Sequence, residues 1–286
     1  MSIILALLAA LFASFTAILA KVGIENVNSN LATAIRTIVV LIMAFLIVII
    51  TGQLDSIPQI STSALWFILF SGLATGFSWL FFFKALAIGD VSKVVPIDKS
   101  SVVLTIIFSI LVLGEPAEPL VLTGGAIIAI GTFILIGKNE DKKRFSGSQQ
   151  YIVYAILAAV FAALTSILAK IGMEDVDSNV ATFLRTIVIL VFAWAIVFYQ
   201  GSHKKLNSIS KKGYLFLVLS GVATGLSWLC YFAALAMGKV SIVAPIDKFS
   251  VVLTMVLSFT ILKEKAAKHT IIGGIVITAG TILLII

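Results

Sequence analysis

The chain has 286 residues, of which 60% are hydrophobic and only 12% charged, with a net charge of +7 and a mean hydropathy of +1.18. A water-soluble domain carries roughly twice that charged fraction, so a soluble globular protein is excluded. The single cysteine rules out a disulfide framework or a thiolate cluster within the chain, and the basic residues sit in short connections, which excludes a separate nucleic-acid-binding domain.

A membrane-crossing helix takes roughly 17 to 25 apolar residues. On that ruler the first half divides into spans Ile3–Gly23, Leu31–Thr51, Ala64–Gly89, Val94–Gly114 and Pro119–Gly137. The first of these lacks a basic leader and has a counterpart at Ile152–Ala169, so it is read as a membrane helix, not as a cleaved signal. Lys21 ends it beside Glu25, and Lys170 ends the counterpart beside Glu174; both read as solvated interfacial pairs. Arg36 lies about five residues into the second span, roughly 8 Å deep, and there it needs an acid or an anionic substrate unless it snorkels out. In the third span Gly72 and Gly76 allow a neighbouring helix to approach closely, while Ser71, Thr75 and Ser78 put hydroxyls on one face beside Trp79. Packing explains the glycines, and a tryptophan next to a hydroxyl face suits an organic substrate.

The fourth span opens on Val94-Val95-Pro96-Ile97-Asp98-Lys99. Proline lacks an N–H, so the segment ahead of Pro96 is expected to be non-helical and to leave carbonyls for a cavity. Asp98 then reads as a proton or cation site and Lys99 as its partner or a substrate contact; the competing reading makes the aspartate a helix cap and the lysine a snorkelling interfacial residue.

After a polar stretch at residues 138–149, read as a linker, the sequence repeats. Pro96 returns as Pro245, an offset of 245 − 96 = 149, and Lys170, Arg185, Trp228 and Glu264 keep the same offset from Lys21, Arg36, Trp79 and Glu115. About half of the aligned positions are identical without a gap, which marks an internal duplication of nearly the whole chain. The second half supplies spans Ile152–Gly172, Val180–Gln200, Gly213–Gly238, Val243–Leu262 and Lys268–Ile286. Ser227, Trp228, Asp247 and Lys248 repeat the candidate residues of the first half, with Pro245 as the second helix break.

The resulting fold is an all-α integral membrane protein of about ten transmembrane helices, arranged as two inverted-topology five-helix repeats, residues 1–137 and 150–286. Five spans per repeat force the second copy to enter from the opposite side. Matching loops then need opposite charge: Gly52–Ser63 has no Lys or Arg, whereas Gly201–Lys212 has Lys204, Lys205, Lys211 and Lys212. Placing the basic loops in the cytoplasm puts both termini outside a plasma membrane.

Enzymatic constellations are missing. His203 lies in a loop and His269 at the very start of the last span, and no nucleotide loop, metal-ligand spacing or Ser/His/Asp set occurs, so neither catalysis nor a cofactor is expected.

With five spans per half and a Pro-Ile-Asp-Lys stretch in each fourth span, the chain resembles the drug/metabolite transporter superfamily, specifically EamA-domain proteins. Each half is similar to a one-domain EamA protein of the kind that works as a pair, and a homodimer of the whole chain is left open. The resemblance implies a ten-helix, two-repeat transporter with a central cavity and alternating access. It also implies that the third and fourth helices of each repeat contribute to the cavity and the second less so, and that both termini are cytoplasmic, opposite to the charge count. The reading is a secondary transporter, exporter or facilitative carrier, of a small polar metabolite, with proton coupling as an option. Its alternatives are a flippase of a lipid-linked phosphate or sugar and a non-transporting membrane scaffold. The site residues expected are Asp98, Lys99, Asp247, Lys248, Ser78, Trp79, Ser227, Trp228, Arg36 and Arg185, and the partners are the lipid bilayer and a small-molecule substrate.

Overall fold

The computed structural model describes residues 1–23, 27–88, 94, 97–98, 100–136, 150–261, 263 and 268–286. The linker expected at 138–149 lies outside them. In the first half, α1 spans Ser2–Gly23, α2 Ser29–Ile50, α3 Thr62–Ile88, α4 Ser101–Leu113 and α5 Pro119–Ile136. In the second, α6 spans Gln150–Gly172, α7 Ser178–Tyr199, α8 Lys211–Met237, α9 Val240–Asp247, α10 Ser250–Ile261 and α11 Lys268–Ile285.

Local chemistry sets the helix ends in matching places. The Asn28 side chain accepts from the amides of Asn30 and Leu31 to start α2, and Asp177 accepts from Asn179 and Val180 to start α7. Both satisfy amides that the first helical turn leaves without partners. Gly114, at φ 65°, closes α4 in a left-handed conformation that a side chain would disfavour.

Among the described residues, eight helices are long and apolar enough to cross a membrane, counting α9 and α10 as one stretch; α4 and α5 are shorter apolar helices. Large apolar side chains such as Ile42, Leu111, Val191, Leu215 and Ile275 point outward along them. That exterior suits lipid, where buried surface between helices must come from close packing of small residues. Ala6, Ala9 and Ala10 of α1 and their counterparts Ala155, Ala158 and Ala159 of α6 are all buried.

The halves interlock instead of docking as separate bundles. The most extensive helix contacts all cross between them: α1 with α8, α3 with α6, α5 with α11, and α2 with α7. The pattern is reciprocal, since exchanging each helix for its counterpart returns the same set. Equivalent helices pass each other antiparallel: Gly124 of α5 sits against Gly280 and Leu284 of α11, while Gly131 sits against Gly273 and Ile277. At the end of α2 and α7, Asn30 donates to Gln200 at 2.9 Å, so the start of one helix meets the finish of its counterpart.

The fourth span of the second half departs from expectation. It starts at Val240, three residues earlier, and its break falls after Pro245 at Lys248 and Phe249, not ahead of the proline. Pro245 withholds the N–H that would meet the Ser241 carbonyl, and the chain tightens to bonds three residues apart: Lys248 N–H to Pro245 O at 3.0 Å and Phe249 N–H to Ile246 O at 2.9 Å. Pro96, the equivalent break in the first half, lies outside the described residues.

Candidate functional site

The hydroxyl ladder on α3 zips it to α6. Ser71 donates to the Thr165 carbonyl at 2.7 Å and Ser78 to the Ala158 carbonyl at 3.0 Å. On the other side of the pseudo-symmetry, Ser220 donates to Thr16 O and Ser227 to Ala9 O, both at 2.9 Å. Bonds between hydroxyls and carbonyls across helices fix register in a lipid-facing bundle, where no water competes.

The glycines between these hydroxyls admit a second neighbour. A Cβ on Gly72 would stand 2.9 Å from the Arg185 carbonyl and 3.0 Å from Val188 Cβ, and one on Gly221 would stand 2.7 Å from Val39 Cβ and 3.1 Å from the Arg36 carbonyl. This close approach sets each arginine beside the ladder of the opposite half. Arg185 donates through Nη2 to Thr75 Oγ1 at 3.0 Å, and Arg36 donates through Nη2 to Thr224 Oγ1 at 3.0 Å. Arg185 is 2% exposed, with its guanidinium carbon 3.8 Å from the centre of the Phe232 ring; Arg36 is half-buried. In both, Nε is buried without an acceptor. The ion pair with an aspartate that the sequence allows is absent among the described residues.

Between the halves lie two neighbouring cavities, the two lobes of one candidate site, that share Trp79 and Trp228 in their walls. One lobe, about 230 Å³, is completed by Thr33, Arg36, Thr37, Val40 and Thr224. The other, about 320 Å³, is lined by Thr75, Ser78, Ser166, Arg185 and Ser227. Tyr231, Phe232, Asp247 and Lys248 line it as well. Asp247 closes α9 at the helix break, its Oδ2 3.9 Å from Lys248 Nζ. The break thus delivers an acid and a base to the cavity together.

Of the expected site residues, Arg36, Ser78, Trp79, Arg185, Ser227, Trp228, Asp247 and Lys248 line one lobe or both. Asp98 is half-buried and lines neither, and Lys99 lies outside the described residues. Sequence reasoning missed Thr33, Thr37, Ser166, Tyr231 and Phe232 as lining residues, and named Thr75 only as part of the hydroxyl face beside Trp79. Tyr231 bonds Ser166 at 2.8 Å, and the equivalent first-half residues are Phe82 and Ala17. That loss of polarity between repeats is the signal that would have exposed the pair.

At one end of the molecule a second cavity, about 950 Å³, lies among Ser2, Leu113, Glu115, Lys170, Lys239 and Ile242. Glu115, in the turn after α4, accepts from the amides of Val240 at 2.6 Å and Ser241 at 2.9 Å, capping α9 of the other half. Glu118 pairs with Lys239 at 2.5 Å. Lys170 donates to the carbonyls of Leu235, Ala236 and Gly238 at 2.7 to 3.0 Å, satisfying the C-terminus of α8. The solvated pairing with Glu174 expected for this lysine is therefore replaced by a helix cap. Glu25, the partner expected for Lys21, lies outside the described residues.

Comparison with known proteins agrees with this duplicated architecture. A transporter from the cobO 3′ region of Sinorhizobium sp is 46% identical over 137 residues, which is 48% of this chain and 97% of the relative. A Methanocaldococcus jannaschii protein is 28% identical over 139 residues, 46% of this chain and 94% of its own length. Half of the chain is thus enough to cover each of these nearly end to end. The transporter YxxF of Bacillus subtilis is 22% identical over 211 residues, 73% of this chain and 66% of its length. A solved crystal structure superposes with a TM-score of 0.80 at 18% identity, covering 99% of this chain and 95% of that one, which shows a shared fold. The model of the EamA-like transporter family matches residues 1–137 and again 149–286, so the chain belongs to the EamA-like transporter family, within the drug/metabolite transporter superfamily.

Proposed function

We propose that this multi-pass membrane protein is a secondary transporter that carries a small polar metabolite by alternating access between two inverted repeats, residues 1–137 and 150–286. The observation that carries the reading is the two-lobed cavity at the junction of the halves, to which α2, α3, α7 and α8 contribute matching residues. Antiparallel passage of α5 and α11 and of α2 and α7 supports inversion, because equivalent helices of a parallel duplication would run the same way. A scaffold would have no need of an acid and a base at a helix break beside a cavity, where ionisable groups are expensive. The charge asymmetry supports an orientation with the basic loops in the cytoplasm.

Reconstitution into phosphatidylcholine vesicles tests the reading. Counterflow of at least one radiolabelled metabolite from a pool of amino and organic acids is expected, lost in the Trp79→Ala/Trp228→Ala double variant. Absence of exchange across such a pool, with folded protein verified in the vesicles, would leave the scaffold.

A further inference from the structure

Two guanidinium groups face the cavity, and among the described residues no carboxylate balances either. Arg185 meets Thr75 and the Phe232 ring, and Arg36 meets Thr224. A threonine hydroxyl oxygen satisfies one N–H but supplies no opposing charge, and in each arginine Nε is sealed off without an acceptor. Keeping a cation buried without a counter-charge is costly, and the fold bears that cost in full at Arg185 and in part at the half-buried Arg36. Asp247 shares the larger lobe with Arg185, but its charge contact is with Lys248 Nζ at 3.9 Å, and no ion pair joins it to either arginine among the described residues. The described lining residues, Arg36, Arg185 and Lys248 against Asp247, therefore carry an excess of positive charge, with one guanidinium in each lobe.

We infer that the substrate carries an anionic oxygen group, a carboxylate or phosphate, which Arg36 or Arg185 holds, with its apolar part against Trp79 and Trp228. Planar guanidinium donors fit such groups in paired hydrogen bonds, which a lysine cannot reproduce. The two tryptophans line both lobes, so the apolar body keeps the same aromatic surface while the anion moves from one arginine to the other. The difference in burial gives this direction: Arg185 is sealed and Arg36 partly open in the present conformation, and exchanging the roles of the inverted repeats exchanges the two. This inference rests on the transport reading above and names the substrate class of that cavity.

The test uses the full chain in phosphatidylcholine nanodiscs, titrated calorimetrically with phenylacetate, phenyl phosphate, neutral phenylacetamide and cationic phenethylamine. One of the two anions is expected to bind at least about tenfold tighter than the amide or the amine, and Arg36→Gln and Arg185→Gln each to weaken it by about tenfold or more. Arg36→Lys and Arg185→Lys keep the charge and lose the fork; weakened anion binding in these folded variants supports the assignment even where a glutamine variant does not fold. Preference for the amine or the amide, or anion binding indifferent to all four substitutions, overturns it. A lysophosphatidate arm separates sources: tighter binding than phenyl phosphate assigns the anion to a lipid headgroup, and weaker binding assigns it to a soluble metabolite. Vesicle flux separates the two readings, since anion binding without flux of any bound probe removes transport alone, and flux of the amine alone removes the anion site alone.

Discussion

Arg185 and Thr75 come from opposite halves of the duplication and meet at 3.0 Å, and Arg36 and Thr224 repeat that bond at the same distance. Each threonine is therefore an acceptor for a buried cation as well as a rung of the α3 or α8 ladder: Thr75 also donates to Ser71 O at 3.1 Å and Thr224 to Ser220 O at 2.7 Å. Thr75→Val keeps the shape and removes the acceptor, leaving Arg185 with a further unsatisfied N–H. A loss of about 1 to 3 kcal/mol is expected. Thermal unfolding in detergent measures it, with Thr75→Ser as the variant that should stay close to the parent; equal midpoints for Val and Ser would show that the bond contributes nothing.

The glycines that make this bond reachable have a separate cost. Gly72→Ala would force its Cβ against the Arg185 carbonyl, which is backbone and cannot swing away, so α7 must shift. Overpacking of this kind costs about 1 to 3 kcal/mol, and the shift should carry Arg185 away from Thr75. The Gly72→Ala and Thr75→Val effects should consequently fall short of additive in the double variant. Full additivity in unfolding experiments would mean that the glycine and the arginine act independently.

Much of this arrangement was legible in the sequence because the constant offset between repeats ties every candidate to a twin, and composition settles the membrane class. Trp79, Trp228, Ser78 and Ser227 could be named from helical spacing alone. The arginine partners could not. A lone arginine in a span suggests an acid, whereas the observed acceptor is a threonine of the other half, chosen by antiparallel register and glycine packing. Lys170 was misread for the same reason, since a nearby glutamate in sequence says nothing about the carbonyls of α8 ending beside it in space. The break at Lys248 shows a proline acting on the turn that follows it, a choice that depends on local bonding below the resolution of a pattern.

Glu115 ties the first half to the start of α9, the helix that carries Pro245 and Asp247 to the cavity. If this contact holds the end of the molecule near the 950 Å³ cavity in its present conformation, Glu115→Ala should loosen it, because two helix-start amides lose their acceptor. A cysteine at Ile242, in a Cys230→Ala background, should then react several-fold faster with an impermeant maleimide. An unchanged labelling rate would reduce Glu115 to a helix cap without a gating role.

Orientation rests on the basic loops. Gln59 and Ser208 are exposed in equivalent connections, the first in a loop without Lys or Arg and the second beside Lys204 and Lys205. With the basic loop in the cytoplasm, Gln59→Cys should be labelled from outside intact cells and Ser208→Cys protected. The opposite pattern would place both termini inside, as the family resemblance implies.

If the transport cycle is coupled to protons, Asp247 is the residue expected to carry them. It ends α9, where the helix dipole disfavours a carboxylate, and it lines the larger lobe of the cavity beside Lys248. A carboxylate at such a break can change protonation as its surroundings alternate between water and protein, whereas one that only stabilises a turn would be used identically in every state. Asp247→Asn distinguishes the two, since the amide still accepts hydrogen bonds but takes up no proton. Vesicle transport in this variant should lose its dependence on a pH gradient, or fall at least about tenfold, while the yield of folded protein holds. Asp98→Asn supplies the comparison at the equivalent position, outside the lining of either lobe, and a milder effect is expected there. Gradient-driven transport at the parent rate in Asp247→Asn would remove the proton-coupling role and leave the aspartate as a local partner of Lys248.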